Sequence, residues 1–164
     1  MKKIVFYSSV LLFSVFINAQ APSEKAINTL LNNWHYAAAT SNFNAYFDAL
    51  TDDSIFIGTD ATEHWDKKAF IVFAKPYFDK GKAWNFTSLD RHIYFSPDKK
   101  IAWFDELLKT QMKICRGSGV LVFEKNQWKI KQYVLSMTIP NDTTDEVIKI
   151  KAPIEDALIS KLQK

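Results

Sequence analysis

One cysteine, four glycines and three histidines are all that the 164 residues hold of those types, and each shortage closes off a class of chemistry. Cys115 has no partner in the chain, so no internal disulfide can brace the fold and the core has to hold it together. The histidines are scattered, with no HxH, HExxH or CxxC spacing, so no metal is expected and no other cofactor is implied. Glu63, His64 and Asp66 lie too close along the chain to converge on one ion. No glycine-rich phosphate loop, GxSxG motif or Cys–His signature is present. Internal repeats, low-complexity tracts and interdomain linkers are absent too.

Long hydrophobic runs are also lacking. Lys2 and Lys3 precede an apolar run over residues 4–17, which is short for a membrane span. Ile17-Asn18-Ala19 ends in a small residue suited to signal-peptidase cleavage before Gln20. Residues 1–19 are therefore read as a signal peptide, with an uncleaved anchor as the alternative. No cysteine follows the cut to carry a lipid. The protein is expected to be exported, periplasmic or secreted, with no membrane attachment after cleavage. The leader takes two of the 21 basic residues, leaving 19 against 18 acidic ones, a net charge of +1. That balance argues against binding nucleic acid or a charged membrane surface. The remaining length suits one domain, residues 20–140, followed by a helical tail, residues 141–164.

Aromatic residues are plentiful: 13 Phe, 6 Tyr and 5 Trp. Ile27, Leu30, Leu31, Trp34 and Ala38 share one stripe of a helix predicted over residues 24–40 and capped by Ser23. His35 falls beside that stripe as a boundary residue. A short second helix carries Phe43, Phe47 and Leu50. A strand over residues 54–58 and a loop over residues 59–65 lead to a third helix over residues 67–80. Asp66 caps it, Pro76 is expected to kink it and Gly81 to stop it. A long strand over residues 84–95 then turns at Ser96-Pro97-Asp98-Lys99. Thr143-Thr144-Asp145-Glu146 has the form of a capping box opening the tail, which Pro153 should interrupt.

Residues 101–136, IAWFDELLKTQMKICRGSGVLVFEKNQWKIKQYVLS, read as three antiparallel strands. Val120, Val122, Trp128 and Ile130 fall at alternate positions, and Lys129 and Lys131 fill the gaps after Trp128, the period of a strand with one buried face. A three-residue turn, Glu124-Lys125-Asn126, sets Val122 opposite Trp128 and Val120 opposite Ile130. A two-residue turn would slip this register by one. With the preceding hairpin turning near residues 109–112, Asp105 falls opposite Arg116 and Trp103 opposite Ser118. The expected inner face then carries Trp103, Asp105, Arg116, Ser118, Val120, Val122, Trp128, Ile130, Gln132, Val134 and Ser136. Asp90 and His92 come near Asp105 and Trp103. Gly117, Gly119, Phe104, Leu121, Phe123, Tyr133 and Leu135 fall on the other face, which a second subunit could cover to form a homodimer. Three N-terminal helices on one face of a curved, mainly antiparallel sheet make an α+β fold.

The segments AINTLLNNWHYAAATSNFNAYFDALTDDSIFIGTD, EHWDKKAFIVFAKPYF, AWFDE and RGSGVLVFEKNQWKIKQYVLS, in this order and spacing, resemble the SnoaL-like branch of the nuclear transport factor 2-like superfamily. The resemblance implies a cone-shaped fold with a deep pocket, often dimeric through the sheet. Relatives include ketosteroid isomerases, polyketide cyclases and dehydratases, alongside binding domains, so fold leaves chemistry open. Many relatives place a histidine on the last strand where Val134 stands here, which removes that general base.

Three functions are compatible with these residues. A small-molecule binder would use Arg116 for an oxygen or carboxylate of a planar or amphipathic ligand, with Trp103, Ser118, Gln132, His92, Asp60 and Trp65 lining the pocket. An isomerase-, cyclase- or dehydratase-type enzyme would use Asp105 as general base, with His64 or His92 assisting and Asp60 orienting His64. Arg116 works against that role, because a paired carboxylate is a weaker base. A non-catalytic dimeric module would fill its pocket with aromatics. In the bland readings, Asp105 and Arg116 form a structural ion pair and Asp60 merely caps a turn.

Overall fold

The computed structural model describes residues 23–164, so the expected signal peptide lies outside the described residues. Ser23 caps α1, Glu24–Ala39, by accepting from the Ala26 N–H at 3.2 Å. Asn42 does the same for α2, Phe43–Asp48, and Asp66 for α3, Lys67–Asp79. Gly81, at φ +65°, follows α3 in the left-handed conformation that favours glycine. Between α2 and α3 run β1, Leu50–Ile57, and a short β2, His64–Asp66, where the sequence suggests only a loop. After α3 come β3, Thr87–Phe95; β4, Ile101–Thr110; β5, Lys113–Glu124; and β6, Gln127–Met137.

These strands form one six-stranded sheet in the order β2-β1-β6-β5-β4-β3. Only the β1–β6 pairing is parallel; the others are antiparallel. Helices α1, α2 and α3 cover one face, and an aromatic core fills the space between. Trp34 stacks on Tyr46 with ring centroids 4.9 Å apart and meets the edge of Tyr133 at 4.7 Å. Phe56 stacks on Phe70 at 4.0 Å. Each such burial contributes roughly 2–3 kcal/mol, which is how a chain without a disulfide holds together.

The covered face is the opposite of the expected one over most of the sheet. On β4 the buried residues are Ala102, Phe104, Glu106, Leu108 and Thr110, whereas Trp103 is 46 % exposed. On β5 and β6, Cys115, Leu121, Tyr133 and Leu135 are buried against the helices. Two local features account for this. Lys125 and Asn126 have φ of 49° and 63°, so the β5–β6 hairpin closes on a two-residue turn rather than three. Phe123 therefore pairs with Trp128 and Leu121 with Ile130. A bulge at Lys131 then absorbs one residue, and Val120 pairs with Gln132. Trp128 and Ile130 keep the inward face as expected, but beyond the bulge Tyr133 and Leu135 turn inward and Gln132 and Val134 outward.

The β4–β5 hairpin is shifted by two residues from the expected register. Thr110 pairs with Lys113 across a tight turn, in which the Thr110 hydroxyl accepts from the Met112 N–H at 2.9 Å and donates to the Lys113 carbonyl at 3.0 Å. Asp105 consequently pairs with Ser118, Trp103 with Val120, and Arg116 with Leu107. Gly117 and Gly119 face inward, where they make room rather than flatten an outer surface. A Cβ on Gly117 would lie 3.0 Å from Glu106 Cγ and press on the Tyr133 hydroxyl.

A 3-10 turn, Asn141–Thr143, leads into α4, Thr144–Leu162. The capping box does not form: the Thr143 hydroxyl donates to the Pro140 carbonyl at 3.0 Å and caps nothing. Pro153 does not interrupt α4 either. No residue of this helix is buried, so water can satisfy the carbonyl that proline leaves without a donor. No helix among the described residues is long and apolar enough to cross a membrane.

Candidate functional site

Two constellations lie on the covered side of the sheet. The first is polar and sealed. Glu106, which strand alternation brings inward beside Phe104 and Leu108, has a fully buried side chain. His35 Nε2 donates to its Oε1 at 2.8 Å. Arg91 donates to Oε2 through Nε at 3.0 Å and Nη2 at 2.7 Å, and its Nη1 reaches Asn28 and Asn32, each at 2.9 Å. The Tyr133 hydroxyl approaches Glu106 Oε1 at 3.3 Å. Burial alone would raise the Glu106 carboxyl, but the hydrogen bond and charge of His35 and the Arg91 guanidinium outweigh it and hold the group below its ordinary value. Burial, and next the Glu106 charge, push the Tyr133 phenol well above its ordinary value. Glu106 is thus an ionised acceptor with both oxygens engaged, a poor proton acceptor for anything else.

The second constellation is an aromatic cleft at the open end of the cone. A cavity of about 200 Å³ is lined by Phe56, Trp65, Phe70, Phe73, Trp84 and Phe86, together with Met112, Leu135 and the polar Thr59, Glu63 and Gln111. It adjoins, across Phe73 and Trp84, an outer groove of about 560 Å³ that Tyr77 and Lys82 also line. Trp65 packs parallel to Phe73 at 4.5 Å, and Tyr46 and Phe78 brace Trp84 edge-on at 5.4 and 5.5 Å. The β1–β2 connection sets the rim. Asp60 accepts from the N–H and hydroxyl of Thr62 at 2.8 and 2.6 Å, and those bonds hold its carboxyl below the ordinary value. Glu63 folds back over Gly58, where a Cβ would lie 2.9 Å from Glu63 Cδ.

The sequence-predicted residues are divided by this arrangement. Trp65 enters the cleft. Asp60 shapes the loop beside it, as a turn cap, with its carboxylate bonded to Thr62 rather than to His64, which is exposed on β2. Trp103, Asp105, Arg116, Ser118, Gln132 and His92 lie on the outer face, away from the helices. Asp105 and Arg116 do not oppose each other, since the turn falls one residue later than expected and the pairing shifts by two. His92 does meet Asp105, Nδ1 to Oδ1 at 3.5 Å, with Asp90 on its other side at 3.8 Å, but all three are half exposed. Glu106, His35 and Arg91 in the interior, and Glu63 and Trp84 in the cleft lining, are the residues that sequence reasoning misses. The readable signal for Glu106 was its alternation with Phe104 and Leu108. Among the described residues no group of three or more metal-ligating side chains comes together.

The largest hollow, about 780 Å³, lies elsewhere, between α4 and residues 59–62 and 136–139. One of its walls is the unburied tail helix, so it is a gap beneath a projecting element rather than part of the cone.

A SnoaL-like domain model matches residues 27–140. The chain belongs to the SnoaL-like domain family. Solved structures share the nuclear transport factor 2-like fold of this SnoaL-like domain. A nuclear transport factor 2-like protein of unknown function from Pseudomonas putida has TM-score 0.62 at 13 % identity, over 73 % of this chain and 89 % of that one. A nuclear transport factor 2-like protein from Cytophaga hutchinsonii has TM-score 0.60 at 15 % identity, over 71 % and 98 %. A candidate ketosteroid isomerase from Shewanella frigidimarina has TM-score 0.56 at 14 % identity, over 69 % and 96 %. No curated protein matches the sequence.

Proposed function

We propose that this SnoaL-like domain binds a small, largely apolar molecule in the aromatic cleft and performs no chemistry on it. The observation that supports the reading is the cleft itself: aromatic walls around about 200 Å³, next to an interior whose carboxylate is already neutralised. That volume is below the several hundred Å³ of a site for a drug-sized molecule, and it suits a one- or two-ring ligand. Isomerase- or dehydratase-type proton transfer needs a free base within reach of the substrate. Glu106 is bonded on both oxygens, Asp105 faces away from the cleft, and Glu63, the one carboxylate in the cleft lining, has no second ionisable group there to work with it. Titrating the protein with indole while following the indole N–H signals of Trp65 and Trp84 by NMR tests the reading. Saturable shifts confined to the cleft support it, and unmoved signals at millimolar indole sink it.

We also propose that the outer sheet face seats a second copy of the chain. Tyr94 and Trp103 stack there at 5.9 Å, each 46 % exposed, beside the half-buried Val120 and Val134. Exposed apolar side chains of this kind on a sheet face call for a cover. Export is proposed on the leader alone, and the intact mass of the chain recovered from its native host, beginning at Gln20, tests it.

A further inference from the structure

We infer that the ligand of the aromatic cleft is a cation, of the class of small alkylated or aryl ammonium ions. This rests on the binding reading above and adds a sign of charge to it. Among the described residues, Glu63 is the only ionisable side chain in the cavity lining; Lys82 lines the outer groove instead. The carboxylate is built into place. Its Oε2 accepts from the Asp60 N–H at 3.2 Å. Its Cδ lies over Gly58, where any larger residue would displace it. Oε1 has no hydrogen-bond partner among the described residues, so one oxygen is left for a guest.

The rest of the wall agrees in sign. Two indoles and four phenyl rings surround the space with the neutral Thr59 and Gln111, and among the described residues no arginine, lysine or histidine lines it. Aromatic faces carry negative potential and attract ammonium groups, most strongly at tryptophan. An anionic guest would meet that potential and the Glu63 charge with nothing to offset either, which reverses the oxygen or carboxylate ligand that Arg116 suggested from sequence. A neutral guest would gain only from area. A cation with apolar substituents gains from both, because its charge is spread over methyl groups that the rings can surround.

The experiment compares two molecules of one shape, choline and its uncharged analogue 3,3-dimethyl-1-butanol, by NMR titration of the Trp65 and Trp84 indole signals. Choline is expected to bind at least tenfold more tightly. Glu63→Gln keeps the acceptor for the Asp60 N–H, and an unchanged melting temperature checks that it folds. It should weaken choline by at least tenfold and leave the alcohol unaffected. Equal affinities for the two probes, or an unaltered choline affinity in Glu63→Gln, overturn the inference while leaving an apolar binding cleft standing. Failure of both probes, together with failure of indole, removes the cleft as a binding site and the inference with it.

Discussion

Nε2 of His35 sits 2.8 Å from Oε1 of Glu106, although 71 residues separate them in the chain. Arg91 grips the other carboxylate oxygen, so helix α1 and strands β3 and β4 converge on one buried ion. Removing one partner of such a group leaves the others charged and desolvated, at a cost of about 3–5 kcal/mol. Glu106→Ala is expected to lower stability by that amount. Urea unfolding should show a reduced midpoint with little change in slope. A loss below about 1 kcal/mol would mean that water reaches the site.

The same group sets the acid limit of the fold. The Glu106 carboxyl is held below its ordinary value by His35 and Arg91 against the opposing effect of burial. The unfolded chain therefore takes up the proton first, near the ordinary glutamate value of about 4.3. The stabilisation is fully present above that pH and drains away as pH falls through the lower folded value. Asp53, bonded to Lys131, and Asp98, bonded to Ser96, are exposed groups shifted the same way. The comparison is thus with Glu106→Gln in the same titration. The variant should start less stable and lose less on acidification from about pH 5 to about pH 2. Parallel curves for the two proteins would remove Glu106 from the acid response.

The helices were legible because their signals are local: Ser23 and Asp66 announce caps, and the Ile27–Leu31–Trp34–Ala38 stripe announces a buried face. The family and the fold class were legible from the order of such segments. The site was not, because a strand reports only alternation, and alternation does not say which parity is inside. Both sets of residues on β4 and β5 contain apolar members, so the choice fell on the turn at Lys125 and Asn126. Nothing in ordinary turn preferences marks Lys125 for φ 49°. Nor does the sequence mark Lys131 as the bulged residue, whose role becomes visible only beside Asp53 on the neighbouring strand. A single inserted residue moved Gln132 and Val134 out of the cone and brought in Tyr133. Glu106 was passed over because an acidic residue is rarely assigned to a core without its partners, and those partners lie on distant segments.

Gly117 is required by the approach of Tyr133 and Glu106, not by its backbone. An added methyl would collide with the Tyr133 hydroxyl and lie 3.0 Å from Glu106 Cγ. Overpacking of this kind costs about 1–3 kcal/mol, and Gly117→Ala is expected to lose that much. Tyr133→Phe removes the obstructing oxygen. In a double-mutant cycle the two changes should therefore cost less together than the sum of their separate effects. Simple additivity, measured by thermal unfolding, would place the glycine's function elsewhere.

Opposite parities on one sheet give opposite outcomes for a charge placed on it. Leu121 is fully buried, so Leu121→Lys puts an unpaired ammonium into the core and should unfold the domain outright. Trp103 is 46 % exposed and stacked on Tyr94, so Trp103→Asp should leave the fold intact by circular dichroism. If the outer face seats a second copy, the same change puts a carboxylate in each half of an apolar contact close to Asp105. The mass by light scattering should then fall from that of a dimer to that of one chain. A wild-type protein already of single-chain mass would dispose of the dimer. A folded, soluble Leu121→Lys variant of halved mass would instead reverse the assignment of the two faces, and the aromatic cleft with it.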